Sequence, residues 1–332
     1  MKVRIFGNAP TATVLAGLLA AERQDVIWNP DAEGDIRLKA LKRSGEIRLN
    51  LPWGWVRTGD FRLSSSLLLK AGEVGLAAFD GAAGGKASGS GRALGGKNRT
   101  LIVLEEEGRT GGSSGGDLPL VPGTEVRRGV SLLEAMEWDP GIGEVSSPQP
   151  RLLVEGDADL GELQRCLKAG RVILQKVDDL DPYRNSLHIR ELLALPVALC
   201  HSTLRCFLSY PEGREIALSL LQEALQLYSH KGLPLARLPV LDPQELAQRL
   251  KRGRSQEFDR ARNLPDRAYG SGLHKLLSGD AKAARHPHER ILRLSSQTGI
   301  DPEWNWAVAQ KINRAIRVGF FRDPVELYNA LR

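Results

Sequence analysis

Short apolar runs dominate the first half of the chain, and helical spacing dominates the second. Lys2 to Phe6 is a run of strand type, Thr13 to Ala21 carries apolar residues in helical order, and Asp25 to Trp28 returns to strand character. Ile36 to Lys42 reads as a helix and Glu46 to Leu51 as a strand. Val74 to Phe79 and Thr100 to Leu104 are continuous apolar runs of the kind buried in a parallel sheet. Strand-like pieces follow at Val126 to Val130 and Leu152 to Val154, with turn residues Asp139-Pro140-Gly141 and Gly143 between them. A helix over Leu160 to Ala169 precedes a strand at Val172 to Leu174. After Asp178 strands disappear. Leu187 to Phe207, Arg214 to Ser229, Pro243 to Lys251, Leu273 to Leu277, His288 to Thr298 and Trp304 to Val318 all show helical spacing, several opened by Pro or Asp. The acidic stretch Asp178 to Asp181, closed by Pro182, marks the predicted boundary. The fold class expected is α/β, with a parallel-sheet domain over 1–180 and an all-helical domain over 183–332.

The first thirty-one residues form the front half of a βαβ unit, and its turn is an altered dinucleotide fingerprint. Gly7-Asn8-Ala9-Pro10-Thr11-Ala12 stands where G-x-G-x-x-G is expected. In that fingerprint glycine turns the chain sharply, lets backbone approach the pyrophosphate, and lets helix pack on strand, with phosphate at the helix N-terminus. Gly7 keeps the first role; Ala9 places a methyl where the pyrophosphate would touch backbone, and Pro10 removes an N–H near the anion. Ala12 is an accepted variant at the third position. Asn29 and Asp31 end the second strand, and an acid there accepts hydrogen bonds from a ribose 2′-hydroxyl while repelling a 2′-phosphate. A Rossmann-type domain is expected, with NAD favoured over NADP, or with cofactor binding lost.

Composition narrows the classes. Three cysteines without a C-x-x-C pair indicate neither a disulfide framework nor a zinc site, so a reducing, cytoplasmic setting is expected. No run spans a membrane, and Asn8 and Pro10 interrupt the apolar stretch that a secretion signal would need. The net charge of +6 is spread among acids rather than clustered with aromatics, which argues against a nucleic-acid partner. Two glycine-rich stretches, Gly81 to Gly96 and Gly108 to Gly116, read as flexible loops; Gly95-Gly96-Lys97-Asn98 lacks the Ser or Thr of a phosphate-binding Walker loop. His286-Pro287-His288-Glu289 has no third ligand at a known spacing, so no metal is expected; Glu289 instead favours the N-terminal dipole of a helix starting at His288. Trp304 and Trp306, two apart, point to different helix faces.

Several short patterns, taken in order, resemble the ketopantoate reductase family. Arg127-Arg128-Gly129-Val130, then Asp139-Pro140-Gly141-Ile142-Gly143-Glu144-Val145, is similar to that family's Gly-Val strand and downstream Pro-Gly turn. Tyr210-Pro211-Glu212-Gly213 resembles its Pro-x-Gly break after the first long helix of the second domain. Ser271 with Leu273, then Thr298-Gly299-Ile300 with Pro302, resembles its serine-bearing helix and the turn after it. The resemblance covers nearly the whole chain and implies a Rossmann domain, a helical domain, and an active site in the cleft between them. It also implies a small oxo or hydroxy acid as substrate.

The same resemblance shows what this chain lacks. Counted back from Pro211 and Gly213, the family's general-acid lysine falls on Ala194 and its asparagines on Ala198 and Ser202; no lysine occurs between Val177 and His230. The catalytic glutamate falls on Ala283. The lysine ending the fourth strand falls on Asp80, and the asparagine-glycine after the fifth on Glu107-Gly108. At an effective dielectric of about 20, each unit charge about 6 Å from another adds roughly 2 to 3 kcal/mol of repulsion, so these acids weaken dinucleotide affinity unless Arg109 or Lys97 offsets them. If catalysis survives, His201 is the candidate proton donor, followed by His188 and His274; Arg205 is a candidate to orient a carboxylate, and Ser271 either binds one or caps its helix. Two function classes remain open. One is an NAD(P)-dependent oxidoreductase; the other is a non-catalytic relative that binds a nucleotide, a metabolite or a protein partner. Helical domains of this kind often dimerise.

Overall fold

The computed structural model describes residues 2–7, 9–30, 41–64, 66, 68–70, 73–78, 99–105, 120–133, 135–139, 141–145, 147, 149–156, 160–252, 276 and 281–332. The chain divides into two compact units, Met1–Leu180 and Asp181–Arg332.

The first unit is built on an eight-stranded sheet. Along the chain its strands are β1 (Lys2–Phe6), β2 (Asp25–Asn29), β5 (Phe61–Leu63), β6 (Glu73–Ala78), β7 (Thr100–Glu105), β8 (Glu125–Ser131), β11 (Arg151–Glu155) and β12 (Ile173–Val177). Their spatial order is β12-β11-β8-β7-β6-β1-β2-β5, and every neighbouring pair is parallel except β11 with β8. From β1 the chain moves outward to β2 and β5, then returns to β6 on the other flank of β1. The β1/β6 boundary is therefore the switch point at whose carboxyl end an open α/β sheet binds ligands.

Of a second sheet, only the strand read over Glu46 to Leu51 was visible in the pattern of apolar runs. This sheet joins β3 (Ile47–Leu51), β4 (Gly54–Thr58), β9 (Ala135–Asp139) and β10 (Ile142–Val145) in the order β4-β3-β10-β9. The turn at Gly141, whose φ is +80°, closes the β9–β10 hairpin. Helix α1 (Pro10–Ala21) lies between the two sheets, touching β1, β2 and β6 on one side and β3, β4, β9 and β10 on the other. That placement explains its composition: Thr11 through Ala20 are all buried, so the helix is apolar on every face. Gly17 is the point of closest approach, since a Cβ there would lie 2.7 Å from Leu49 Cδ1 and 2.8 Å from Ile47 Cγ2. Helix α2 (Gly161–Ala169) packs on β12 through the amphipathic set Leu163, Cys166 and Leu167.

The second unit is helical among its described residues. Its elements are α3 (Asp181–Glu191), α4 (Ala194–Leu199), α5 (Leu204–Ser209), α6 (Pro211–His230), α7 (Pro243–Lys251), α8 (Ala281–Ser295), α9 (Glu303–Val318) and α10 (Pro324–Leu331). Helix α6 is the hub. It buries Gly213, Ile216, Ala217, Leu220, Leu221, Ala224, Leu227 and Tyr228, and touches α3, α5, α7, α8, α9 and α10. Helix α3 is polar in sequence and yet buried, because its side chains bind backbone rather than water. Asn185 Nδ2 donates to the Pro234 carbonyl at 3.0 Å, Ser186 Oγ to Ala236 at 2.6 Å and Arg190 to Val240 at 3.3 Å, strapping residues 234–240 along the helix.

The helix expected over Leu187 to Phe207 is three helices. A proline inside a helix collides with the carbonyl four residues back, here that of Leu192. The chain avoids this by closing α3 with two tight bonds, Leu192 N–H to Ile189 and Leu193 N–H to Arg190, and restarting so that Pro196 sits in the first turn of α4. Helix α8 departs in the opposite sense: it begins at Ala281 and runs through Pro287, so Glu289 is mid-helix and not in a first turn. Of the expected helix over Leu273 to Leu277, only Leu276 lies within the described residues. Among the described residues no helix is long and apolar enough to cross a membrane.

Candidate functional site

At the switch point the chain leaves β1 through Gly7, whose φ of +104° is a conformation that favours glycine. The turn is held from both sides. Gly7 N–H donates to the Asn29 carbonyl at 2.8 Å, and Trp28 Nε1 donates to the Gly7 carbonyl at 3.1 Å. Ala9, Thr11 and Ala12 are buried. The donors that a fingerprint presents to phosphate are largely committed here. Ala9 N–H reaches the Ala78 carbonyl at the end of β6 at 3.3 Å, Pro10 has no N–H, and Ala12 N–H folds back on the Ala9 carbonyl at 2.8 Å. Thr11 Oγ1 pairs with Ser131 Oγ at 3.1 Å. The backbone path and its place in the sheet thus fit a dinucleotide, with fewer donors for the pyrophosphate. Asn29 Nδ2 donates to the Ser66 carbonyl at 3.3 Å, so this amide anchors a neighbouring segment. Asn8, Asp31, Asp80, Lys97, Glu107, Gly108 and Arg109 lie outside the described residues, as do both glycine-rich stretches.

In the helical unit the segment that carries the candidate proton donor is a helix end. His201 has φ +46°, its N–H bonds the Ala198 carbonyl at 2.9 Å, and Ser202 N–H bonds Val197 at 3.1 Å. Those two bonds are the paired closure of a Schellman motif, with His201 in the left-handed position usually given to glycine. Its ring is exposed and stacks on Phe320 at 5.4 Å. Thr203 then caps α5, accepting from Cys206 N–H at 3.2 Å. Arg205 lies in α5, half-buried and beyond the break that separates it from His201.

Comparison with solved structures gives the fold. A ketopantoate reductase of the PanE/ApbA family from Ralstonia eutropha JMP134 superposes with a TM-score of 0.67 at 16% identity, over 95% of this chain and 98% of that one. D-mandelate dehydrogenase in a ternary structure with NADH and anilino(oxo)acetate gives 0.68 at 12% identity, over 100% and 99%. A dimeric ketopantoate reductase from Staphylococcus aureus gives 0.65 at 10%, over 96% and 99%. The chain has the ketopantoate reductase fold. No protein-family model matches the sequence, and no curated protein does.

Within this ketopantoate reductase fold the expected site positions separate clearly. Ala194 opens α4, Ala198 is buried inside it, and Ser202 turns its hydroxyl to the Thr203 carbonyl at 3.2 Å. His188 is a buried core residue with both ring nitrogens hydrogen-bonded. Its Nε2 lies 2.9 Å from the Pro287 carbonyl and its Nδ1 2.6 Å from the Tyr228 hydroxyl. A carbonyl only accepts, so Nε2 carries the proton and Nδ1 accepts from Tyr228. Burial, then the nearby Arg290 charge, hold this imidazole well below its ordinary pKa. Ser271 and His274 lie outside the described residues, and Ala283 is the third residue of α8.

Sequence reasoning missed a polar chain in the same unit. Glu223 on α6 accepts from the backbone N–H groups of Trp304 at 2.8 Å and Asn305 at 3.0 Å, capping the N-terminus of α9. Asn305 Nδ2 also donates to Glu223 at 2.7 Å, and Asn305 Oδ1 lies 2.9 Å from His288 Nδ1. A usable signal existed: Asn305 leads the stripe Val308, Ala309, Ile312 on α9, and His288 sits between Ala284 and Ile291 on α8. A polar residue in an apolar stripe asks for a partner. Trp304 stacks on Tyr328 at 5.9 Å, whereas Trp306 is exposed. Among the described residues no three His, Cys, Asp or Glu side chains converge as metal ligands.

Proposed function

We propose that this protein is an NAD(P)-dependent oxidoreductase of the ketopantoate reductase type, acting on a small oxo or hydroxy acid in a cytoplasmic setting. The observation that carries the reading is the Gly7 turn, set at the β1/β6 switch point and feeding directly into α1. Similarity to D-mandelate dehydrogenase with NADH over the whole chain supports it. Asp31 favours NADH over NADPH. When bound, a nicotinamide dinucleotide supplies or accepts hydride. The residues of this chain proposed to act on the substrate are His201, as proton donor to the carbonyl oxygen, with Arg205 and Ser271 on its carboxylate. Gly7, Asn8, Ala9, Pro10, Thr11, Ala12, Asn29, Asp31, Asp80, Glu107 and Gly108 are the proposed cofactor-site positions. A homodimer is part of the proposal, by analogy with the dimeric relative.

A second reading has its own observation. Ala194, Ala198 and Ser202 occupy the positions of the expected lysine and asparagines, and no lysine lies between Val177 and His230. This favours a relative that binds a nucleotide, a metabolite or a protein partner without turnover. Titration of NADH and NADPH against tryptophan fluorescence and thermal melting separates the two. A ligand at a hundred times its Kd adds about 2.7 kcal/mol of stability. Stabilisation by NADH, followed by loss of hydride transfer to a panel of 2-oxo acids in His201→Ala, supports the enzyme. Absence of any response to both nucleotides at millimolar levels removes it in favour of the second reading.

A further inference from the structure

Two buried imidazoles lie at the internal proline of α8, one bonded to its carbonyl and one next to it in the chain, and they are not equivalent. His188 of α3 donates to the carbonyl of Pro287 and accepts from Tyr228 of α6, so both ring nitrogens are satisfied. His288, the next residue on α8, is wholly buried and has one hydrogen-bond partner among the described residues, Asn305 of α9. The orientation of that amide is set by its other contacts: Nδ2 donates to Glu223 and to the Leu220 carbonyl, which leaves Oδ1 facing His288. His288 Nδ1 must then be the donor, and its Nε2 is a lone pair with no hydrogen-bonding partner among the described residues.

The consequences of adding a proton differ between the two rings. On His188 the new N–H arises at Nδ1 opposite the Tyr228 oxygen, which can accept once its own hydrogen turns away. On His288 the new N–H arises at Nε2, where no acceptor waits among the described residues, and the ring gains a full charge inside the core. The charged and titratable groups around it give little relief. His286, Glu289 and Arg290 share its helix, and His188 faces the cluster from α3. On the side of α6 and α9 the acids are Glu223 and Glu303, and Glu223 reaches His288 only through Asn305. We propose that His288 is a proton-operated latch: its protonation releases α8 from α9 while α3 and α6 stay joined. Burial supports the direction, since it pushes His288 down to about 4 and pushes the Glu223 carboxyl up, so neither group is held in its charged form by its surroundings.

The reporter is already in place, because Trp304 and Trp306 lie in the first turns of α9. The full-length protein is titrated from pH 7 to pH 3 while tryptophan emission and far-UV circular dichroism are followed together. The latch predicts an emission change on the way from pH 6.5 to 4, ahead of the loss of helical signal, and predicts that H288Q moves that change to the pH at which helicity itself collapses. Coincident transitions in the wild type, or an unmoved emission midpoint in a folded H288Q, would overturn it. Should H288Q not fold, ring-nitrogen chemical shifts of the wild type at pH 7 decide the matter: the latch requires the Nδ1–H tautomer for His288 and the Nε2–H tautomer for His188. A charged His288, or the same tautomer in both, removes the proposal.

Discussion

Replacement of Gly213 by alanine should damage the helical unit far more than a glycine-to-alanine change inside a helix usually does. Gly213 lies in the first turn of α6, and a Cβ there would stand 2.0 Å from the Phe207 carbonyl oxygen and 2.9 Å from its carbon. A comfortable C···O approach is about 3.3 Å, so roughly 1.3 Å must be found. Neither side yields cheaply. Phe207 and Leu208 are fully buried, Tyr210 N–H bonds the Phe207 carbonyl, and the Arg214 guanidinium holds the carbonyls of Leu208 and Ser209. Helix propensity returns about 1 kcal/mol in favour of alanine. Overpacking against backbone costs about 3 kcal/mol or more, leaving a net loss of about 2 to 4 kcal/mol. For a unit of about 150 residues that lowers the melting temperature by roughly 5 to 15 °C. Thermal melts followed by far-UV circular dichroism test this against Gly232→Ala. Gly232 has φ +63° and nothing within 4 Å of an added methyl, so only backbone strain of about 1 kcal/mol opposes that change. Gly213→Ala melting at or above the wild type, or losing less than Gly232→Ala, would refute the reasoning.

In the sheet unit, Arg4 and Glu73 form a buried pair at 2.8 Å, with Arg4 also on Ser64 and the Ser66 carbonyl. Arg4→Ala should cost about 3 to 5 kcal/mol in denaturant unfolding, and Arg4→Met with Glu73→Leu should recover most of it, because the loss comes from the stranded carboxylate. Gly17→Ala forces a methyl onto Leu49 and Ile47, so despite better helix propensity it should lower stability by about 1 to 2 kcal/mol in the same assay. Stability should also depend on pH through His288. Its folded pKa of about 4 lies below the ordinary 6.5, so the contribution of the neutral ring is complete above pH 6.5 and is lost as pH falls toward 4. Between pH 7 and pH 4.5 the wild type should lose about 2 to 3 kcal/mol more in chemical unfolding than H288Q does.

Much of the sheet unit was legible because buried parallel strands announce themselves as apolar runs. β1, β2, β3, β6, β7, β8 and β11 fall on the runs read from sequence to within a residue or two at either end. β4 and β5 escaped because their side chains are half exposed, so no apolar run or clean alternation marks them. The motifs that carried the family resemblance gain a physical meaning. Gly129 permits β8 to lie 2.8 Å, measured from an added Cβ, from the Leu153 carbonyl; Gly213 permits the α5–α6 corner; Gly141 and Gly299 hold positive φ in turns. Those are demands of backbone packing, so they track the fold and say little about chemistry. His201 and His188 show the limit in the other direction: the sequence offered both as candidates, and only the structure shows that one sits at a helix terminus and the other is hydrogen-bonded in the core.

The linear order of apolar runs and helical stripes was enough to specify a parallel-sheet unit followed by a helical one, with a glycine turn after the first strand, because those patterns reflect burial imposed residue by residue. Only the tertiary structure decided that α1 is sandwiched by a second sheet, that the turn's amides are spent on Ala78 and Ala9, and that Glu223, Asn305 and His288 form one chain. Each of these depends on which distant segments become neighbours. A hydrogen bond between residues 82 or 17 positions apart leaves no periodic trace in the sequence, since its geometry exists only after the helices that carry it have packed.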